Sequence, residues 1–256
     1  MILLKSIHLK HQGEKAYPYH LPFFNQDILF KSPVTLLIGD NGSGKSTLLE
    51  ILRAKLNLFK IGQKDEAFLN INLKASYHLH KPRGFYFSSE DFTTYIDNLE
   101  KEKAWSKQEI KNIEDQYKNR SDYAKSLAKM PHNRTLHEID HLHDRNLNES
   151  SHGEAYLSFF KSRMRDHELI LLDEPETPLS FENQLALLYI IKEGVEKGSQ
   201  FIIATHSPVM MAYPQATIYQ LSSDGLIETS YEKIEQVESL KQFLNHPDHF
   251  LRHLFK

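Results

Sequence analysis

The apolar residues of this chain form two patterns. Short unbroken runs at 34–38, 169–172 and 201–204 read as strands, the last of them buried. Weaker strand signals lie at 2–9, 28–30, 84–87, 216–221 and 226–228. Between them the apolar spacing becomes helical. Leu48, Leu49, Leu52, Leu56 and Phe59 mark one face of a helix over 47–59, and further helices are expected over 153–165, 181–193, 234–243 and 248–255. Polar residues 62–70 read as loop. The stretch 92–130 carries only a loose helical period through Trp105, Ile110, Ile113 and Tyr117, and reads as one or two amphipathic helices ended by Pro131. Strands alternating with helices predict an α/β fold. The 256 residues read as one domain, 1–256, with 92–150 inserted as a small helical lateral subdomain.

Composition narrows the classes. Forty per cent apolar residues suffice for a core, and a net charge of −3 gives no overall pull toward nucleic acid or anionic membrane. The absence of cysteine excludes disulfides and thiolate chemistry. Nothing approaches the run of about 18 apolar residues that spans a bilayer, and Met1-Ile2-Leu3-Leu4-Lys5 is too soon charged for a signal peptide, so a cytoplasmic protein is expected.

The chemistry concentrates at strand ends. Gly39-Asp40-Asn41-Gly42-Ser43-Gly44-Lys45-Ser46-Thr47 follows the 34–38 strand and opens a helix, matching G-x-x-x-x-G-K-[ST] in full. Backbone N–H groups of such a turn point at phosphate oxygens. Lys45 is expected to reach the β and γ phosphates of a nucleotide, and Ser46 to offer its hydroxyl to Mg²⁺. The 169–172 strand ends in Asp173 and Glu174, a metal-binding carboxylate and a candidate general base. The 201–204 strand delivers His206 beside them, at the ligand side of an α/β sheet. Tyr17, Tyr19, Phe23 and Phe24 are candidates to stack on a base or to pack as core. His132, His137, His141, His143 and His152 can be written as a metal cluster, but a polar loop explains them as well.

With these residues in place, the chain resembles the ATP-binding-cassette (ABC) ATPases, and within them the small stand-alone bacterial ATPases described as ABC-type or AAA-family. Residues 39–47 match the Walker A motif, and 169–174 match Walker B with its catalytic glutamate. Thr177-Pro178-Leu179-Ser180 occupies the D-loop position, and His206 falls on the switch histidine. The signature Leu-Ser-Gly-Gly-Gln is replaced by Ser150-Ser151-His152-Gly153-Glu154, in which Ser151 and Gly153 keep the hydroxyl and one glycine that contact the nucleotide of an opposite subunit. His152 and Glu154 depart from the transporter-like form. The Q-loop position falls best on Glu90, with Ser89 second, so Glu90 joins Ser46 and Asp173 as a candidate metal contact. The resemblance implies a P-loop NTPase fold of the ABC-ATPase type, with a mixed central sheet flanked by helices and a small helical lateral subdomain, and Mg²⁺-dependent ATP hydrolysis by a head-to-tail homodimer that sandwiches nucleotide between the two kinds of motif.

Three roles follow. One is a soluble ATP-gated switch, alone or with a protein effector or nuclease. Another is a DNA-associated clamp of the repair or defence kind, for which Lys101, Lys103, Lys107, Lys111, Lys118, Arg120, Lys125 and Lys129 provide local basic density interleaved with acids. The third is the ATPase subunit of an ABC transporter. No lid or acceptor pocket suggests a kinase, and no Asn-Lys-x-Asp stretch suggests guanine recognition.

Overall fold

The computed structural model describes residues 1–10, 16–60, 68–142, 152–252 and 255. They form two compact units, one made of Met1–Ser88 with Met164–Lys256 and the other of Ser89–Arg163, which is wider at both ends than the 92–150 insertion expected from composition.

In chain order the first unit begins with β1 (Leu4–Lys10), β2 (Asp27–Leu29), β3 (Val34–Gly39), α1 (Lys45–Leu56), β4 (Phe59–Lys60), β5 (Asn72–Tyr77) and β6 (Gly84–Ser88). The second unit holds α2 (Ser89–Gln116), α3 (Asp122–Leu142) and α4 (His152–Arg163). The chain then returns through β7 (Leu169–Asp173), α5 (Phe181–Glu196), β8 (Gln200–Ala204), α6 (Pro208–Met211), β9 (Thr217–Ser222), β10 (Gly225–Thr229), α7 (Glu235–Asn245) and α8 (Pro247–Leu251).

The main sheet has the order β10-β9-β3-β8-β7-β6-β4 and is parallel except for the β9–β10 hairpin. Its central strands β7 and β8 are buried at every position, as the unbroken apolar runs require of strands covered on both faces. An antiparallel sheet, β2-β1-β5, packs into the same core through Leu4, Ile7, Leu9 and Ile28. Gln200 ties the two sheets together. Its buried amide accepts the N–H groups of Leu3 and Leu4 at 2.8 Å each and donates to the Leu4 carbonyl at 3.0 Å.

Three local outcomes differ from the sequence expectation. The helix after the glycine-rich turn stops at Leu56, because Asn57 enters the left-handed region (φ 54°) and the Leu58 N–H closes onto the Arg53 carbonyl. Phe59 therefore leaves the helical face and lies exposed on β4. Pro131 does not end its helix but sits inside α3. Loss of its N–H costs one helical bond, and the contacts of α3 with α2 on both sides, Lys129 with Glu114 and His132 with Trp105, hold the two halves in line. Residues 132–142, expected as a polar loop, are thus the end of that helix. Among the described residues no three or more His, Asp or Glu side chains cluster as they would around a metal, and His143 lies outside them.

Candidate functional site

The site is built at the carboxyl ends of β3, β7 and β8, which lie side by side. In the turn after β3, Gly39 has φ 141° and a Cβ there would stand 2.5 Å from the Leu221 carbonyl oxygen. Gly44, at φ 99°, caps α1, and a Cβ there would press on Leu21 and Phe23. These constraints force the loop to wrap around the start of α1, whose free N–H groups attract an anion. Ser43 Oγ is buried without a hydrogen-bond partner, an orphaned donor in a glycine cradle that suits a phosphate oxygen.

Lys45 is buried, and its ammonium donates to the carbonyls of Gly39 and Asp40 at 2.9 Å each. Burial pushes its pKa down, against the opposing pull of Glu174, Asp173, Asp40 and Glu176. Ser46 Oγ donates to Asp173 Oδ1 at 3.0 Å, and Tyr86 on β6 donates to Asp173 Oδ2 at 3.1 Å. A hydroxyl and a carboxylate in direct contact, both oxygen donors, fit Mg²⁺.

Desolvation raises the Asp173 carboxyl to about 6, although the Ser46 and Tyr86 hydrogen bonds pull it down. The folded carboxyl thus holds its proton more tightly than an unfolded one at 3.8, so its ionisation opposes folding above about pH 6 and ceases to do so as pH falls toward 4. Asp173→Asn is therefore expected to raise the stability of the nucleotide-free protein at pH 8 by up to about 3 kcal/mol. Melting temperatures measured from pH 4 to 8 should show the gain shrinking toward the acid end. An equal gain at all pH values would contradict the raised carboxyl.

Glu174 follows Asp173 in the left-handed region (φ 46°), held by its N–H on the Ala204 carbonyl at 2.9 Å. That turn brings Glu174 Oε1 within 3.6 Å of His206 Nε2, which is itself buried without a hydrogen-bond partner. An open cavity of about 470 Å³ adjoins His206, lined also by Gly39, Asp40, Asn41 and Gln236 among others. Thus Lys45, Ser46, Asp173, Glu174 and His206 converge in the first unit. Glu90 is exposed in the first turn of α2 and Gly153 is buried in the first turn of α4, both in the other unit. Ser151 lies outside the described residues.

Of the candidate aromatics, Tyr19, Phe23 and Phe24 are core, whereas Tyr17 is 59% exposed and its hydroxyl lies 3.0 Å from Thr47 Oγ1. Ser180, in the D-loop position, caps α5 by accepting from the Asn183 N–H. Two site residues escape sequence reasoning. Tyr86 looks like any strand aromatic until strand register sets β6 beside β7. Glu176 looks like a turn acid, but one of its oxygens accepts hydrogen bonds from Thr205, His206 and Ser207.

The chain is similar in sequence to known proteins. The family model for ABC transporters matches residues 28–177, more than half of the chain. A protein of Methanocaldococcus jannaschii described as an ABC transporter ATP-binding protein is 28% identical over 188 residues, 70% of this chain and 63% of that one. The zinc uptake system ATP-binding protein of Listeria innocua is 29% identical over 188 residues, 70% of this chain and 68% of the relative. The chain spans less than two thirds of the length of several such relatives, down to 30%. Among solved structures, the SMC head domain from Thermotoga maritima has a TM-score of 0.49 and 15% identity, covering 90% of this chain and 100% of that one. With a family match that runs from β2 through the whole phosphate loop and past Glu174, the chain belongs to the ABC transporter family, as a P-loop ATPase of the ABC type.

Proposed function

We propose that the chain binds ATP with Mg²⁺ at the 39–47 loop and hydrolyses it as a head-to-tail homodimer, the second copy contributing Ser151 and Gly153. The observation that carries this reading is the contact set Ser46–Asp173 and Glu174–His206 beside a buried Lys45. Lys45 and the loop N–H groups hold the phosphates. Ser46 and Asp173 would hold Mg²⁺, which when bound neutralises charge on the β- and γ-phosphate oxygens. Glu174 takes the proton of the attacking water, and His206 orients that water from the neighbouring strand end. Tyr17, exposed at the mouth of the loop, stacks on adenine.

Among partners, the membrane subunits of a transporter are favoured over a free-standing switch or a DNA clamp. The family match and the relatives' transporter names support this, and no helix among the described residues is long and apolar enough to cross a membrane by itself. On this reading the chain works from the cytoplasm against a separate membrane component.

Fractionation of cells that make the protein natively tests the choice of partner. A transporter subunit sediments with membranes and is released when its membrane partner is deleted. A protein found wholly in the soluble fraction, with hydrolysis stimulated by double-stranded DNA, would overturn the transporter reading in favour of the clamp. A soluble protein indifferent to DNA would favour the switch.

Tyr17→Ala should weaken ATP binding about tenfold, within the ~1–3 kcal/mol of a base–aromatic stack. Tyr17→Phe, which loses only the hydroxyl contact with Thr47, should bind close to the unmutated protein. Calorimetric titration with ATP decides, and equal loss in both variants would refute stacking.

A further inference from the structure

Glu176 has no part in the chemistry described above, yet it is buried and engages three donors at once. Its Oε1 accepts from Thr205 Oγ1 at 2.7 Å, the His206 N–H at 2.8 Å and the Ser207 N–H at 3.1 Å. Its other oxygen, Oε2, is buried with no partner. A buried carboxylate with one oxygen unpaired is costly to keep, so its geometry reports a constraint stronger than packing alone.

The constraint lies where the sheet stops. Strands β7 and β8 pair in register up to Asp173 opposite Ala204, and the last link across is the Glu174 N–H on the Ala204 carbonyl. Past that point the segments carrying Glu174 and His206 share no further backbone bond, yet their side chains must stay within reach of one water. Glu176, two residues beyond Glu174, spans the gap and grips the backbone of residues 205–207. The His206 carbonyl is held from the other side by Gln236 Nε2 at 3.1 Å, and Ser207 Oγ donates to Gln184 Oε1 at 2.6 Å. The backbone of His206 is thus fixed at both N–H and C=O, while its ring Nε2 stays unpaired and faces Glu174.

We infer that Glu176 is a positioning residue: it staples the His206 segment to the Glu174 segment so that the two move as one, and passes any shift of the adjoining 177–180 turn to His206. The inference rests on the proposed roles of Glu174 and His206. The turn is linked directly, since the Thr177 N–H bonds to the Glu174 carbonyl and the Leu179 N–H to that of Glu176.

Glu176→Ala should lower kcat for ATP about 10- to 100-fold with KM changed less than about threefold, because positioning rather than binding is lost. Glu176→Gln, whose amide oxygen accepts the same three bonds, should recover most of that rate. If Glu176 acts through His206, adding Glu176→Ala to His206→Ala should cost nothing further. Amide hydrogen exchange gives a readout free of activity: protection at His206, whose N–H bonds to Glu176, should vanish in Glu176→Ala and persist in Glu176→Gln, with β8 protected in both as proof of folding. Unchanged protection at His206 in Glu176→Ala, equal rate losses in the two variants, or losses that multiply with His206→Ala would each overturn the staple. If instead Glu174→Gln and His206→Ala both hydrolyse ATP at the unmutated rate, the functional reading fails, and the exchange data alone decide whether the staple exists.

Discussion

Glu174→Gln is expected to bind ATP as tightly as the unmutated protein, to hydrolyse it at least about 100-fold more slowly, and to accumulate as a nucleotide-bound dimer. Glutamine fills the same volume and keeps one acceptor oxygen, so the turn at φ 46° and its bond to Ala204 persist. What disappears is the ability to take a proton. On the proposed mechanism other residues hold the phosphates, so affinity is spared, and hydrolysis reopens the proposed dimer, so the closed form persists without it. Phosphate release and light scattering with ATP and Mg²⁺ measure both effects. A variant that hydrolyses at the unmutated rate would remove Glu174 from the role of general base.

Lys45→Ala should have the opposite profile, losing affinity first. The ammonium is already gathered in by the Gly39 and Asp40 carbonyls, so little entropy remains to be lost when it turns to phosphate. Charge-assisted bonds of this kind contribute about 1.5–3 kcal/mol each, which predicts a rise in the ATP Kd of about 10- to 100-fold. Truncation also strands two carbonyls in the loop, so the nucleotide-free protein should melt lower. Fluorescent-nucleotide titration checks the first effect and thermal melting the second. Undiminished ATP affinity in Lys45→Ala would mean that phosphates bind elsewhere.

The central strands and the residues at their ends were legible because the physics there is local. A parallel strand covered on both faces is apolar along most of its length, and a phosphate loop must have glycine where a Cβ would strike Leu221 or Phe23. β5 was not legible. Its Asn-Leu-Lys-Ala-Ser-Tyr has weak strand formers, and only pairing with β1 over Leu4–Lys10 makes it a strand. The length of α3 was hidden for the complementary reason, since Pro131 is a strong local stop that packing against α2 overrides. Within the site, the residues proposed to touch nucleotide fall in contiguous motifs. Tyr86 and Glu176 act on those residues across strand gaps, through a register that no run of neighbouring residues encodes. Tyr17 could be separated from Tyr19, Phe23 and Phe24 only by burial, as all four belong to one aromatic-rich segment.

The most direct measurement is steady-state phosphate release from ATP by the purified wild-type protein, with Mg²⁺ and with Mg²⁺ chelated, beside Glu174→Gln as the control. Saturable release that needs Mg²⁺ and fails in the variant is the predicted result. Release that survives chelation or continues unchanged in Glu174→Gln would contradict the assignment of Ser46, Asp173 and Glu174 to one hydrolytic centre.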